Sequence, residues 1–213
     1  MSERTTNDPL KHWRGEFGDS YTERNRTFAP ESLRARETLW SEILSLCQPA
    51  PASIIEIGSN VGENLRAIAR VQPAALHALE PNASARARLV EDGVVPAERV
   101  MDGIASAIPL ADEACDLAFT SGVLIHVHPD DLLSATSEIV RVARRYVVCI
   151  EYFADRPEEV TYRGHEGLLF KRDFGGFYLD HFPSLAPLGC GFAWRRTTGL
   201  DNVTWWVFRK DRR

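Results

Sequence analysis

The 213-residue sequence contains no apolar run approaching the roughly 20 residues that a membrane-spanning helix needs. Its first ten residues are polar and mixed in charge and lack the apolar core of a secretion signal, so a cytoplasmic protein is expected. Cysteine is scarce. The four present, Cys47, Cys115, Cys149 and Cys190, form no Cys-x-x-Cys pair and have no histidine at metal-ligand spacing, so neither a disulfide framework nor a metal site is expected. Cys115 and Cys149 lie in apolar segments and are expected to pack as small hydrophobes. A basic excess is also missing. Lys and Arg number 25 against 30 Asp and Glu, a net charge of −5, which argues against nucleic-acid binding by bulk electrostatics. Internal repeats and low-complexity stretches are absent. What remains, 44% hydrophobic and 26% charged residues, is ordinary for a folded chain, and the length suits one domain spanning 1–213.

Residues 1–30 carry Trp13, Phe17, Tyr21 and Phe28 among charges and glycines. Disordered tails are poor in aromatics, so this segment is read as an ordered arm that packs over something. Pro30 and Glu31 open a helix whose apolar positions Leu33, Trp40, Ile43, Leu44 and Cys47 keep a helical period until Pro49. Short apolar runs then alternate with amphipathic stretches. Strands are expected at 53–57, 75–80, 99–102, 115–120 and 146–151, and helices at 62–70, 83–91 and 130–142. That alternation predicts βαβ units, an α/β fold with a doubly wound parallel sheet, and a ligand over the carboxyl ends of the strands. Residues 152–188 break the pattern and read as an irregular insert. Two further strands are expected at 189–195 and 203–209, joined by a polar turn at 199–202.

The strongest local signal is Glu56-Ile57-Gly58-Ser59-Asn60-Val61-Gly62-Glu63-Asn64, placed between the first strand and its helix. Gly58 and Gly62 permit a tight turn and close backbone approach to a ligand. Glu80 ends the next strand, 22 positions beyond Gly58, where nucleotide-binding α/β folds set a carboxylate against ribose hydroxyls. The full Gly-x-Gly-x-x-Gly is absent, because Asn60 and Glu63 replace two glycines. Glu56 and Glu63 flank the turn, which suits a cofactor carrying positive charge better than a pyrophosphate. Taken alone, the turn also fits a βα connection with no ligand.

These residues resemble the first motif of class I S-adenosylmethionine-dependent methyltransferases. Glu80-Pro81-Asn82 resembles the second, and 102–109 lies where the family has its acidic loop, with Ile104 at the usual aspartate position. Asp116 to Ser121 resembles the fourth strand, whose end faces the reactive methyl. A narrower resemblance is to the bacterial methylases found with pseudaminic acid biosynthesis. It rests on Gly15-Glu16-Phe17-Gly18-Asp19, 21–25, 122–129, Glu151-Tyr152-Phe153, Tyr162-Arg163-Gly164-His165-Glu166 and 170–174. The resemblance implies a Rossmann-like seven-stranded sheet with an antiparallel last strand, S-adenosylmethionine as cofactor and S-adenosylhomocysteine as product. It places Glu56, Gly58, Asn60, Gly62, Glu80, Pro81, Asp102, Gly103, Ile104 and Ser121 around the cofactor.

A methyl acceptor must present a lone pair, so a base is useful where the nucleophile is a hydroxyl or a protonated amine. His126, just after the fourth strand, is the first candidate and His165 in the insert the second. Tyr21 is a third catalytic candidate, and His128 reads as a helix-entry residue. Arg24, Asn25, Tyr152, Tyr162, Arg163, Lys171 and Arg172 are candidates for substrate binding. Cations beside aromatics suit a carboxylate, phosphate or phosphonate; surface pairing with Glu158, Glu159, Glu166 and Asp173 is the competing reading for each cation. Trp13 and Phe17 are expected to hold the arm down. The expected function is methylation, on oxygen or nitrogen, of a small polar, anionic metabolite, with no nucleic-acid or membrane partner. The alternatives are a non-catalytic protein that binds the cofactor or its product, and a nicotinamide-dependent oxidoreductase.

Overall fold

Strand β1 (Ser53–Ile57) sets the plan of the molecule. Successive side chains of a strand point to opposite faces, and here both faces are buried. Ile54 joins one apolar cluster and Ile55 and Ile57 another. The computed structural model describes residues 9–25, 27, 29–164 and 166–211. Around β1 lie β2 (Ala75–Leu79), β3 (Val100–Met101), β4 (Cys115–Ser121), β5 (Ala143–Glu151), β6 (Leu185–Ala193) and β7 (Val203–Lys210). The seven form one sheet in the order β3-β2-β1-β4-β5-β7-β6. The first five are parallel, and β7 runs antiparallel between β5 and β6. The strand order reverses between β1 and β4, which opens a crevice above their carboxyl ends.

Helices α3 (Pro30–Ser45), α4 (Glu63–Val71) and α5 (Ala83–Glu91) cover one face, where Trp40, Ile43, Leu65, Ile68 and Leu89 pack on Ile54, Leu117 and Phe119. Helices α6 (Leu132–Val142) and α7 (Phe174–His181) cover the other through Ala135, Ile139, Phe174 and Tyr178. Cys115 and Cys149 are buried in that second core, as their apolar settings predict. Among the described residues no helix is long and apolar enough to cross a membrane.

The elements differ from the sequence reading in five places, one being β6, which starts at Leu185 within the expected insert and ends at Ala193. The arm is helical, as α1 (Pro9–Arg14) and α2 (Glu16–Arg24). Gly18 within α2 conceals this, yet it is required there: a Cβ at Gly18 would lie 1.9 Å from the Trp13 carbonyl oxygen and 2.9 Å from Asn82 Nδ2. The insert contains α7, whose two glycines weaken its helical signature. Asp173 caps it by accepting from the Gly176 N–H at 2.8 Å, and Phe174 and Tyr178 bury its apolar face. The insert also holds a small hairpin, Glu158–Glu159 against Phe170–Lys171. Strand β5 starts three residues early because Arg144 and Arg145 pair with Asp116 on β4, at 3.5 and 3.0 Å. The polar turn before β7 follows a short helix, α8 (Arg195–Thr198). Phe28 lies outside the described residues.

Candidate active site

Between β1 and α4 the backbone adopts positive φ at Gly58 (75°), Asn60 (44°) and Gly62 (76°). At Gly58 no other residue fits, since a Cβ there would stand 2.6 Å from Val123 Cγ2. The Gly58 N–H donates to the Leu79 carbonyl at 2.7 Å, which ties this turn to the end of β2. Glu80 comes next. Its buried carboxylate bridges the two turns: Oε2 accepts from the Asn60 N–H and Oε1 from the Asn82 N–H, each at 2.8 Å. Burial raises its pKa above the ordinary value even so.

Glu56, at 2% exposure, accepts at Oε1 from Asn64 Nδ2 (2.8 Å), and Asn64 in turn accepts from Trp40 Nε1 (3.2 Å). Its second oxygen, Oε2, has no hydrogen-bond partner among the described residues, and neither has Ser59 Oγ. Burial pushes the Glu56 carboxyl up to about 8. Buried polar atoms without partners are rare; among the described residues Thr120 Oγ1, Arg145 Nε and Tyr178 Oη are the others, and Glu56 and Ser59 are the two at the β1–α4 turn.

Above the carboxyl ends of the strands is a cavity of ≈ 670 Å³, within the range of small-ligand sites. Glu56, Gly58, Asn60, Glu80, Pro81, Gly103, Ile104 and Ser121 line it. Gly62 stands behind the turn, with Leu89 against it. Asp102 does not line the cavity; it pairs with Arg14 at 3.1 Å and with Arg86 at 3.3 Å.

His126 also lines the cavity, on the one-turn 3-10 helix Leu124–His126. Its Nδ1 lies 2.5 Å from the Leu168 carbonyl oxygen. A carbonyl only accepts, so Nδ1 carries the proton and Nε2 the lone pair. Burial lowers the pKa below the ordinary 6.5 and keeps the ring neutral at neutral pH, with the Leu168 carbonyl opposing. Trp13 (4.9 Å between ring centroids) and Tyr162 (5.2 Å) pack against it, and Tyr21 packs on Trp13 at 5.3 Å. Burial raises the Tyr21 phenol, so Tyr21 remains a proton donor. Trp13 therefore does more than hold the arm down: it lines the cavity beside His126.

The arm is fastened to the turns that follow β1 and β2. Asn82 Nδ2 donates to Asp19 Oδ1 (3.0 Å) and to the Trp13 carbonyl (3.2 Å), and its Oδ1 caps α5 by accepting from the Ala85 N–H (2.9 Å). Thr22 Oγ1 is in reach of both Asn60 Oδ1 (3.3 Å) and Asn82 Oδ1 (3.4 Å).

Of the other residues singled out from the sequence, Asn25, Tyr152, Tyr162 and Arg163 line the cavity, and Tyr152 donates to Asp201 Oδ2 at 3.1 Å. Arg24 lies over the Tyr21 ring, Lys171 pairs with Glu158 at 3.5 Å, and Arg172 covers the Phe177 ring; none of the three lines the cavity. His128 is the N-cap of the turn Pro129–Asp131, matching its helix-entry reading, although it also borders the cavity. His165 lies outside the described residues. Sequence reasoning named Asn64 and Asn82 only as members of the two motifs and missed Arg36, whose Nε donates to Glu63 Oε2 at 2.7 Å on the cavity wall. Asn82 was legible as a helix cap before Ala83, but nothing in the spacing marks Arg36.

Residues 55–150 match a family model described as a methyltransferase domain. No protein of curated function matches the sequence. Several solved structures share the fold. The 1,6-didemethyltoxoflavin-N1-methyltransferase of Burkholderia thailandensis, solved with 1,6-didemethyltoxoflavin and S-adenosylhomocysteine, is 18% identical with a TM-score of 0.69, over 99% of this chain and 94% of that one. The magnesium protoporphyrin IX methyltransferase of Synechocystis, solved with S-adenosylmethionine, is 8% identical with a TM-score of 0.68, over 97% and 99%. A Haloferax volcanii complex between a methyltransferase and its activator gives 11% identity and a TM-score of 0.64, over 94% and 98%. Residues 55–150 thus match a methyltransferase domain, and the whole chain shares its fold with solved methyltransferases.

Proposed function

We propose that the cavity holds S-adenosylmethionine against the β1 and β2 turns. Its methyl group passes to an oxygen or nitrogen of a small, polar, anionic acceptor held between the arm, residues 1–30, and the insert, residues 152–188. The observation that carries this reading is the unpartnered, buried Oε2 of Glu56 beside Ser59 Oγ. A ligand ammonium there would satisfy the carboxylate and draw its proton off. Glu80, already fixed by two backbone N–H groups, has lone pairs left for a pair of hydroxyls. Pro81, Gly103 and Ile104 offer apolar walls to a flat heterocycle, and Gly58, Asn60 and Gly62 shape the turn that lets the ligand approach. Asp102 anchors Arg14 of α1 rather than touching the cofactor.

The bound cofactor supplies an electrophilic methyl on a sulfonium. The chain's part is to align the acceptor, to exclude water and to take a proton, and alignment alone is worth much of the rate. His126, neutral and with its Nε2 lone pair free of the Leu168 bond, accepts the acceptor's proton. His165 is the second candidate for that role. Tyr21 donates a hydrogen bond, as do Asn25 and Tyr162, while Tyr152, its proton given to Asp201, offers its oxygen as an acceptor. Arg163 is the cation through which an anionic group would be read, and its φ of 52° is a strained backbone state of the kind found at binding sites. The narrower resemblance to methylases found with pseudaminic acid biosynthesis supports methyl transfer rather than any one acceptor.

The test is transfer of labelled methyl from S-adenosylmethionine to a panel of sugar acids, amino acids and phosphonates. Transfer to one of them, lowered about a hundredfold or more by His126→Ala, the usual scale of acid–base catalysis, with cofactor affinity retained, is the expected result. Tight cofactor binding without transfer to any acceptor would favour a non-catalytic binding protein.

A further inference from the structure

Glu151 ends β5 and is 0% exposed, yet it does not line the cavity. Its carboxylate is turned toward the loop that leaves β4. Oε1 accepts from the backbone N–H groups of Val123 (3.2 Å) and Leu124 (3.1 Å), and Oε2 from that of Ile125 (3.4 Å). These are three consecutive donors at the start of the 3-10 turn Leu124–His126, donors that a helix start leaves without intrahelical partners. Burying a carboxylate is costly unless it is well bonded, and burial still pushes this one up to about 7. Its charge and its bonds serve no other visible purpose in the mechanism.

The turn it holds is gripped from three sides. Val123 packs into the space left by the missing side chain of Gly58, His126 is tied to the Leu168 carbonyl, and Glu151 fixes the backbone between them. We infer that Glu151 is a positioning residue, which acts through Val123, Leu124 and Ile125 to hold His126 at the acceptor end of the cavity. This rests on the proposed role of His126. An isosteric amide cannot replace the carboxylate, because its NH2 end would meet a backbone N–H donor and leave at least one of the three bonds unmade.

The test follows the His126 imidazole by NMR titration in the full chain, its signal assigned by its loss in His126→Ala. In the wild type it titrates below 6.5. In Glu151→Gln the turn loosens, burial falls, and the titration is expected to move up toward the ordinary value. Simple loss of a nearby negative charge would move it down instead, so the direction separates positioning from a direct charge effect. A Glu151→Gln protein that melts cooperatively with the His126 titration unchanged or lowered would overturn the inference. If that variant does not fold, hydrogen exchange on the wild type decides. Amides of Val123, Leu124 and Ile125 protected like those of the sheet support the inference, and exchange at open-loop rates overturns it. Titration of S-adenosylhomocysteine into the wild type runs alongside. Absent binding there would defeat the cofactor reading while leaving the His126 result to judge Glu151 separately.

Discussion

Glu56 shows at a single residue how a binding site is held ready at the expense of stability. Its folded-state pKa, about 8, is raised from the ordinary 4.5. The folded state therefore binds the proton more tightly than the unfolded chain does. That contribution is complete below about 4.5 and is lost as pH rises toward 8. We expect Glu56→Gln to melt higher than the wild type at pH 9 and alike at pH 4, measured by scanning calorimetry on the ligand-free protein. Glu151 contributes with the same sign, up to about 7, so the difference between variant and wild type is read above that. Glu80→Ala removes the acceptor for two backbone N–H groups and the proposed hydroxyl contacts. It should weaken S-adenosylmethionine binding by about 1–3 kcal/mol, the range for bonds to charged groups; equal affinity in isothermal titration would remove Glu80 from the site.

Among the elements, the arm is the one whose role depends most on contacts far away in sequence. Asp19 joins α2 to Asn82 and to Ser84 Oγ at 2.9 Å, and hydrogen bonds from both hold its carboxyl below the usual range. Asp19→Ala should free the arm without touching the core. Limited proteolysis is expected to cut within 9–24 faster than in the wild type, and cofactor dissociation to quicken; an unchanged cleavage pattern would deny the fastening. Gly58→Ala places a methyl against Val123 and strains a positive φ, so the β1–α4 turn must shift. A melting temperature several degrees lower and weaker cofactor binding are expected. The arm's aromatics announced order but not helices, since Gly15 and Gly18 interrupt the helical signature. Helix α7 was illegible for a like reason: its stability comes from the Asp173 cap and from Phe174 and Tyr178 in the core, not from propensity.

In the whole molecule, two apolar cores sandwich one sheet, and the reversal of strand order puts the cavity at one edge of both. That plan was legible because buried strands such as Ser53–Ile57 and Cys115–Ser121 are short apolar runs between amphipathic helices. The β1 and β2 turns of the candidate site were legible for the same reason: Glu56, Gly58 and Glu80 sit at or just beyond strand ends, where local order in sequence is local order in space. The surroundings of His126 were only partly so. Arg163 and Tyr162 reach the cavity while Lys171 and Arg172, a few residues on, turn to Glu158 and Phe177. Trp13 and Arg36 reach the site through packing between distant segments, which spacing does not encode. The central claim, that this cavity is built for S-adenosylmethionine, is tested most directly by calorimetric titration of that cofactor into the purified protein, with NAD as control. One molecule bound per chain, protons released at pH 7 as Glu56 ionises, and no binding of NAD is the predicted result. Binding of NAD in its place, or of neither ligand, would contradict it.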